Sequence, residues 1–156
     1  MEVAHDNICS YNYYMRECTG VTFSTFDLLH TGHVLMLEEA RSICDRLICG
    51  LHVDPQIERP EKNKPVQSLV ERYTQLSRLK CVDEVIPYNT EKDLKDILLG
   101  YPIDVRIIGD DYRNVDFSGK DTCTSKGIKI HYNSRSHNFS STELRQRIYK
   151  IEHGKK

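Results

Sequence analysis

The sequence lacks the marker features of several large protein classes. It contains neither Gly-x-Gly-x-x-Gly nor Gly-x₄-Gly-Lys-Ser/Thr, the glycine-rich loops that hold phosphates in dinucleotide-dependent oxidoreductases and P-loop enzymes. No apolar run approaches the roughly 18 residues that a membrane-spanning helix needs. No internal repeat or low-complexity segment is present. These absences exclude the corresponding classes and predict a soluble protein that does not insert into a membrane.

The net charge indicates the kind of partner, and the cysteine pattern indicates the redox state of the thiols. The formal net charge is −1, and the Lys and Arg residues form no basic stripe, so we expect no nucleic-acid partner and favour a small anionic substrate. The six cysteines include no C-x-x-C pair. This pattern indicates reduced thiols in a cytoplasmic protein rather than a disulfide scaffold.

The residue pattern predicts a single α/β domain. A chain of 156 residues can bury about 70% of its unfolded surface without a disulfide or structural metal. Short runs rich in Val, Ile and Tyr alternate with amphipathic stretches, which is typical of a Rossmann-like parallel sheet of about five strands with helices on both faces. We expect a loose extension over residues 1–16, the domain over 17–150 and a tail over 151–156.

The predicted elements follow from residue type and from helix boundary signals. Strands are predicted at 18–23, 46–51, 84–87, 104–108 and 128–132, and helices at 31–44, 67–80, 91–99, 118–126 and 141–150. Ser118 is expected to cap the fourth helix, and Ser140 and Glu143 to form a capping box on the fifth. The segment 54–66 contains three prolines and a charged run, which is typical of a mobile, functional loop.

The segment His30-Thr31-Gly32-His33 lies where the first predicted strand leads into the first predicted helix. Residues three apart share a helix face, so both imidazoles are expected in one crevice, and Gly32 lets a phosphate approach the backbone. Unpaired N–H groups and the helix dipole add positive charge there. The pattern favours phosphate binding, with a pair of metal ligands or of half-buried packing histidines as the alternatives.

A second candidate phosphate site follows the last predicted strand. Residues 135–142 place Arg135 a few residues before the hydroxyls of Ser140, Ser141 and Thr142, at the start of the last predicted helix. Hydroxyls and free N–H groups at a helix N-terminus bind anions. The alternative is an ordinary helix cap with a solvated arginine.

Five separated motifs occur in one order along the chain, at residues 23–33, 71–72, 82–87, 109–112 and 135–142. In this order they resemble the cytidylyltransferases of the His-x-Gly-His nucleotidyltransferase superfamily, and among them the glycerol-3-phosphate cytidylyltransferases. The resemblance covers about residues 18–148. Several separated motifs in one order are more specific than any single motif.

The resemblance implies transfer of CMP from CTP to a small phosphorylated alcohol, with glycerol 3-phosphate as the best candidate, and release of pyrophosphate. It also implies Mg²⁺ that binds with the triphosphate rather than to protein ligands, and a homodimer. The alternatives are an ATP-dependent adenylyltransferase of a phosphorylated cofactor precursor and a non-catalytic nucleotide-binding protein.

The resemblance assigns roles to individual residues. The catalytic residues it implies are His30, His33, Lys64 and Arg135. The nucleotide-binding residues are Thr25, Phe26, His30, His33, Lys64, Asp111, Arg135, Ser136, Ser140, Ser141 and Thr142. The acceptor-binding residues are Asp27, Lys62, Arg72 and Lys92. For Asp27 the alternatives are positioning of Mg²⁺ or of a histidine, and capping of the first helix.

The sequence departs from the family pattern at several places. Ser24 stands where the family usually has glycine, Tyr112 replaces tryptophan, and residues 136–139 replace Thr-Glu-Gly-Ile beside the base. The helical lysine that the glycerol phosphate enzyme presents to its acceptor aligns near Asp93, next to Lys92. The pattern therefore specifies nucleotidyl transfer more strongly than it specifies CTP or the acceptor.

Overall fold

The computed structural model describes residues 16–134 and 136–154. Five parallel strands form one sheet in the order β3-β2-β1-β4-β5. The strands are β1 Thr19–Ser24, β2 Arg46–His52, β3 Glu84–Tyr88, β4 Val105–Gly109 and β5 Lys129–Asn133. The helices are α1 Thr31–Ser42, α2 Leu69–Leu76, α3 Glu91–Gly100, α4 Lys120–Lys126 and α5 Ser141–His153. The predicted α/β fold is confirmed, and the strand bounds agree to within one residue.

The core lies on both faces of the sheet, because successive side chains of a strand point to opposite sides. On one face Leu47 and Leu51 of β2 pack with Leu37 of α1 and with α2. On the other face Ile48 of β2 packs with Leu98 of α3 and with α4. Within the described residues, no helix is long and apolar enough to cross a membrane.

The strand order reverses at β1, which pairs with β2 on one side and with β4 on the other. Chain connections therefore leave β1 and β4 in opposite directions and open a crevice at their carboxyl ends. The crevice walls include two short 3₁₀ helices, Pro55–Ile57 and Asp110–Tyr112. Phe26 and Leu28, between β1 and α1, adopt left-handed backbone angles, with φ of 48° and 51°. Such strained residues cluster at functional sites, so this turn is a candidate part of a functional site.

Several local expectations are corrected. Helix α4 begins after Gly119, whose positive φ of 77° suits glycine, and Ser118 does not cap it. Helix α5 continues to His153, so the expected tail is helical over residues 151–153. Cys44, Cys49, Cys81 and Cys123 are free thiols, but Cys18 is disulfide-bonded, so the expectation of reduced thiols throughout is wrong there. The expected extension lies outside the described residues, apart from Arg16, which pairs with Asp104.

Candidate active site

A polar cleft follows the carboxyl ends of the central strands and consists of three adjoining cavities. The histidine cavity, of about 280 Å³, is lined by His30, His33, His137, Ser140 and Ser141 among others. The flap cavity, of about 380 Å³, is lined by Thr25, Phe26, Asp27, His33, Lys62, Ser141, Thr142 and Arg145 among others. The arginine cavity, of about 430 Å³, is lined by Arg59, Arg106, Tyr88 and Ser118 among others. Phe23 and Tyr112 border all three, so the cavities form one continuous cleft.

The two histidines of the His-x-Gly-His segment lie together in the histidine cavity. Their rings stack with centroids 4.0 Å apart. His30 is the N-cap of α1, and its Nδ1 accepts a hydrogen bond from the Gly32 N–H at 3.1 Å. The His33 N–H donates to the His30 carbonyl. The N–H groups of Gly32 and His33 were expected to remain unpaired for a phosphate, and both are already bonded within the helix turn.

The capping bond fixes the tautomer of His30. Because Nδ1 accepts a hydrogen bond, the proton of the neutral ring lies on Nε2. That Nε2 lies 3.2 Å from Ser141 Oγ at the start of α5, and the Ser141 hydroxyl donates to the Asp27 carbonyl at 3.2 Å. This chain of bonds joins the starts of α1 and α5, and Ser141 lines both the histidine cavity and the flap cavity.

Gly32 is required for packing at this point. A Cβ at Gly32 would lie 2.8 Å from the Phe139 carbonyl oxygen and 2.9 Å from His137 Cε1. The segment before α5 therefore approaches the backbone of α1 more closely than any other residue type would allow. Gly32 is therefore needed to bring the two candidate phosphate sites together. The sequence predicted a different role for Gly32, which was to let a phosphate approach the backbone.

Burial lowers the pKa of His30 below its ordinary value of 6.5, and the nearby His137 imidazole lowers it further. The folded state therefore favours the neutral ring, so the free energy of unfolding should decrease as the pH falls below about 6.5. Burial also lowers the pKa of His52, so part of this pH dependence remains when His30 is replaced.

We predict that His30→Asn makes the free energy of unfolding depend less on pH between 7.5 and 5.5 than in the unchanged protein. Asparagine keeps a capping oxygen but does not titrate. Urea unfolding at both pH values measures the two slopes, and His153→Asn, at the exposed end of α5, is the matched control. If the free energy of unfolding depended equally on pH in His30→Asn and in the unchanged protein, the pKa of His30 would not be lowered by folding.

Asp27 joins three segments of the cleft wall. Its carboxylate accepts from the Val66 N–H at 3.0 Å and from the Gln67 N–H at 2.9 Å, and it forms a salt bridge with Arg145 of α5. The side chain is only 6% exposed. Asp27 does not cap α1, which His30 caps. Although Asp27 borders the flap cavity, its carboxylate oxygens bond to the protein itself. The expectation that Asp27 binds the acceptor substrate is therefore corrected, and its role is structural.

Arg72 is also structural. It is 2% exposed, and its guanidinium donates to the carbonyls of Thr25, His52, Val53 and Gln67. These bonds tie together the ends of β1 and β2 and the loop before α2. Because carbonyls of the protein occupy its donors, Arg72 does not contact the acceptor substrate. The expectation that Arg72 binds the acceptor substrate is wrong.

The remaining expected site residues differ in whether they border the cleft. Lys62 and Thr142 border the flap cavity. Lys64, Asp111 and Ser136 are exposed and border none of the three cavities. Lys92 is an exposed residue of α3 in a salt bridge with Asp96 and borders none of the three cavities, so its contact with the acceptor stays a prediction. The expected catalytic residue Arg135 lies outside the described residues.

Sequence reasoning missed several residues that border the cleft. Arg145, Arg59 and Arg106 supply cations, and Tyr112 borders all three cavities. His137 adds a third imidazole to the histidine cavity. One signal was available in the sequence: Arg106 interrupts an otherwise apolar strand, and a charged residue at a buried strand position is unusual.

The cleft has the chemistry of a site for phosphoryl groups. Neutral imidazoles, hydroxyls at a helix N-terminus and flanking cations can bind several phosphate oxygens at once. The described residues contain no group of three or more His, Cys, Asp or Glu side chains placed to hold a metal ion.

Comparisons with known proteins agree with this geometry. Glycerol-3-phosphate cytidylyltransferase from Bacillus subtilis is 31% identical over 128 residues, which is 82% of this chain and 95% of that protein. Bifunctional protein HldE from Nitrosococcus oceani is 37% identical over 73% of this chain, which spans only 24% of that protein. The lipopolysaccharide core biosynthesis protein from Thermoplasma volcanium shares the fold, with a TM-score of 0.62 and 22% identity over 80% of this chain and 100% of that chain. Residues 21–147 match the cytidylyltransferase-like family. The chain belongs to that family.

Proposed function

We propose that the chain transfers CMP from CTP to a small phosphorylated alcohol, with glycerol 3-phosphate as the first candidate. One observation carries the proposal: the stacked His30 and His33 rings meet the hydroxyl-bearing start of α5 in one cavity. The likeness to the Bacillus subtilis protein, which covers nearly the whole of that enzyme, supports the choice of CTP and glycerol phosphate.

In the proposed reaction, an oxygen of the acceptor phosphate forms a bond to the α-phosphorus of CTP. The bond from that phosphorus to the oxygen bridging to the β-phosphate breaks, and its electron pair leaves with pyrophosphate. The acceptor phosphate is already an anionic nucleophile, so no strong general base is needed. The protein positions the two phosphates and stabilises the charge that develops on the transferring group.

The arrangement of the cavities suggests a role for each group. His33 donates to the non-bridging oxygens of the α-phosphate, and His30 donates there when its Nε2–H exchanges the bond to Ser141 Oγ for a phosphate oxygen. Ser140, Ser141 and the start of α5 hold the rest of the triphosphate. His33 also borders the flap cavity, where Lys62 and Arg145 are placed to receive the acceptor phosphate. Mg²⁺ bound with the triphosphate, rather than to protein ligands, would supply part of the neutralisation of its charge. The proposal includes the homodimer that the resemblance implies.

A pyrophosphate-release assay with each of the four nucleoside triphosphates and a panel of phosphorylated alcohols tests the proposal. We expect CTP to be preferred and mass spectrometry to show CDP-glycerol from CTP and glycerol 3-phosphate. Preference for ATP would overturn the choice of nucleotide. Tight nucleotide binding without pyrophosphate release on any acceptor would overturn the enzymatic proposal in favour of a nucleotide-binding protein.

A further inference from the structure

The arginine cavity adjoins the flap cavity. The two cavities share Phe23, His52, Arg59, Tyr88 and Tyr112. A molecule whose phosphate lies in the flap cavity can therefore extend its far end into the arginine cavity. At about 430 Å³, that cavity lies within the usual size range of small-molecule sites, roughly 300–1,000 Å³.

Arg106 is a buried cation without a carboxylate partner in the described part of the chain. It is 4% exposed, and its guanidinium lies between the rings of Phe23 and Phe117, at 5.1 and 4.9 Å from their centroids. Nη1 donates to the Ser118 carbonyl, and Nε has no hydrogen-bond partner among the described residues. A buried charge is costly unless it is paired, so this guanidinium has unused capacity for an anionic oxygen.

A second guanidinium meets the same serine. Arg59, in the exposed loop after β2, donates from Nη2 to Ser118 Oγ at 3.0 Å, and no carboxylate within the described ranges pairs with it. Two like charges thus lie on either side of one neutral residue. Such an arrangement is unfavourable in isolation and favourable when an anion lies between the charges.

Three carboxylates border the same cavity, and two of them are occupied elsewhere. Glu58 accepts from the Glu91 N–H at 2.7 Å, and the Glu91 carboxylate lies 3.5 Å from Lys95 Nζ. The third is Asp116, an exposed residue of the rim. Among the described residues, neither guanidinium forms a salt bridge with any of the three carboxylates, and both donate to Ser118. An anionic group that reaches the Ser118 side would therefore contact two cations that have no carboxylate partner there.

We propose that the acceptor carries a second anionic group, a carboxylate or a phosphate, at the end opposite its reacting phosphate, and that Arg106 and Arg59 bind this group. The inference rests on the proposed transfer to a phosphorylated alcohol and narrows its substrate class. Both groups present the paired oxygens that a guanidinium binds in bidentate fashion.

Matched acceptors of equal length provide the test. Pyrophosphate release is measured with 3-phosphoglycerate and compared with glycerol 3-phosphate, and with 6-phosphogluconate and compared with sorbitol 6-phosphate. Hexitol 1,6-bisphosphate is the acceptor whose second anionic group is a phosphate. We expect kcat/KM to be about 10- to 100-fold higher for acceptors with the second anionic group, since a hydrogen bond to a charged group contributes about 1.5–3 kcal/mol. Comparing the acids with the bisphosphate distinguishes a carboxylate from a phosphate.

Two variants connect this preference to the guanidiniums. Arg106→Met and Arg59→Gln should each raise KM for the preferred acid or bisphosphate about 10-fold or more, and by a larger factor than KM for the matched alditol phosphate, so that the preference for the second anionic group decreases. Arg113→Gln is the control, since Arg113 stacks on Tyr132 and does not border the cavity. Arg59 is exposed, so its variant remains informative if Arg106→Met fails to fold.

Two results would overturn the inference. One is equal kcat/KM for alditol phosphates and for the acids and bisphosphate. The other is an unchanged acceptor preference in Arg59→Gln together with a folded Arg106→Met. In either case turnover on alditol phosphates leaves the proposed CMP transfer intact, whereas absence of pyrophosphate release with every acceptor removes both proposals.

Discussion

Replacing His33 with alanine should lower kcat at least about 100-fold, because removing one preorganised donor to a developing oxyanion typically costs two to three orders of magnitude. His33 is the more sensitive of the pair, since it borders both the histidine cavity and the flap cavity. It therefore lies between the sites proposed for the α-phosphate and for the acceptor phosphate.

The fold should survive this change. His33 is half-buried, whereas His30 also caps α1 and bonds toward α5. We expect His33→Ala to keep a midpoint of thermal unfolding within a few degrees of the unchanged protein, with the loss confined to turnover. His153→Ala, at the exposed end of α5, is the control and should turn over normally. Normal turnover in His33→Ala would refute its role.

The largest effect on stability is expected at Arg72. Replacement by methionine keeps most of the side-chain volume but leaves four carbonyls without the guanidinium that now donates to them. An unpaired buried acceptor costs about 1–3 kcal/mol. Because some carbonyls can regain water, we expect the free energy of unfolding to fall by about 4 kcal/mol rather than by the full sum.

Urea unfolding measures this loss. Arg72→Lys should recover part of the stability, since an ammonium group donates to fewer carbonyls and lacks the planar fork of a guanidinium. Arg78→Met is the matched control: Arg78 is exposed just beyond α2, and its replacement should change stability by less than about 0.5 kcal/mol. An Arg72→Met variant as stable as the unchanged protein would show that these bonds do not hold the strand ends together.

The strands were predictable because their signal is local. Each is a short run rich in β-branched or apolar residues followed by an amphipathic stretch, and this alternation also implies the parallel arrangement. Helix ends were less predictable. Helix α2 is six residues shorter than the interval 67–80, because Ser68 caps it at Leu69 and its last turn ends at Leu76.

The site was only partly predictable, because a side chain's function depends on contacts distant in sequence. The spacing of His30 and His33 brings them together on one turn, so their shared cavity could be anticipated. The sequence does not reveal whether Arg72 faces a ligand or four carbonyls, since both environments suit a guanidinium. In the same way, nothing local to Asp27 indicates that Arg145, 118 positions away, forms its salt bridge.

The carboxylate of Asp27 makes the turn after β1, the end of the loop before α2 and the helix α5 mechanically dependent on one another. A relative's loop grafted between β2 and α2 would have to present backbone N–H groups at the positions of Val66 and Gln67, or α5 would lose the anchor of Arg145. Redesign of acceptor specificity in this scaffold therefore requires the loop and the last helix to be exchanged as one unit.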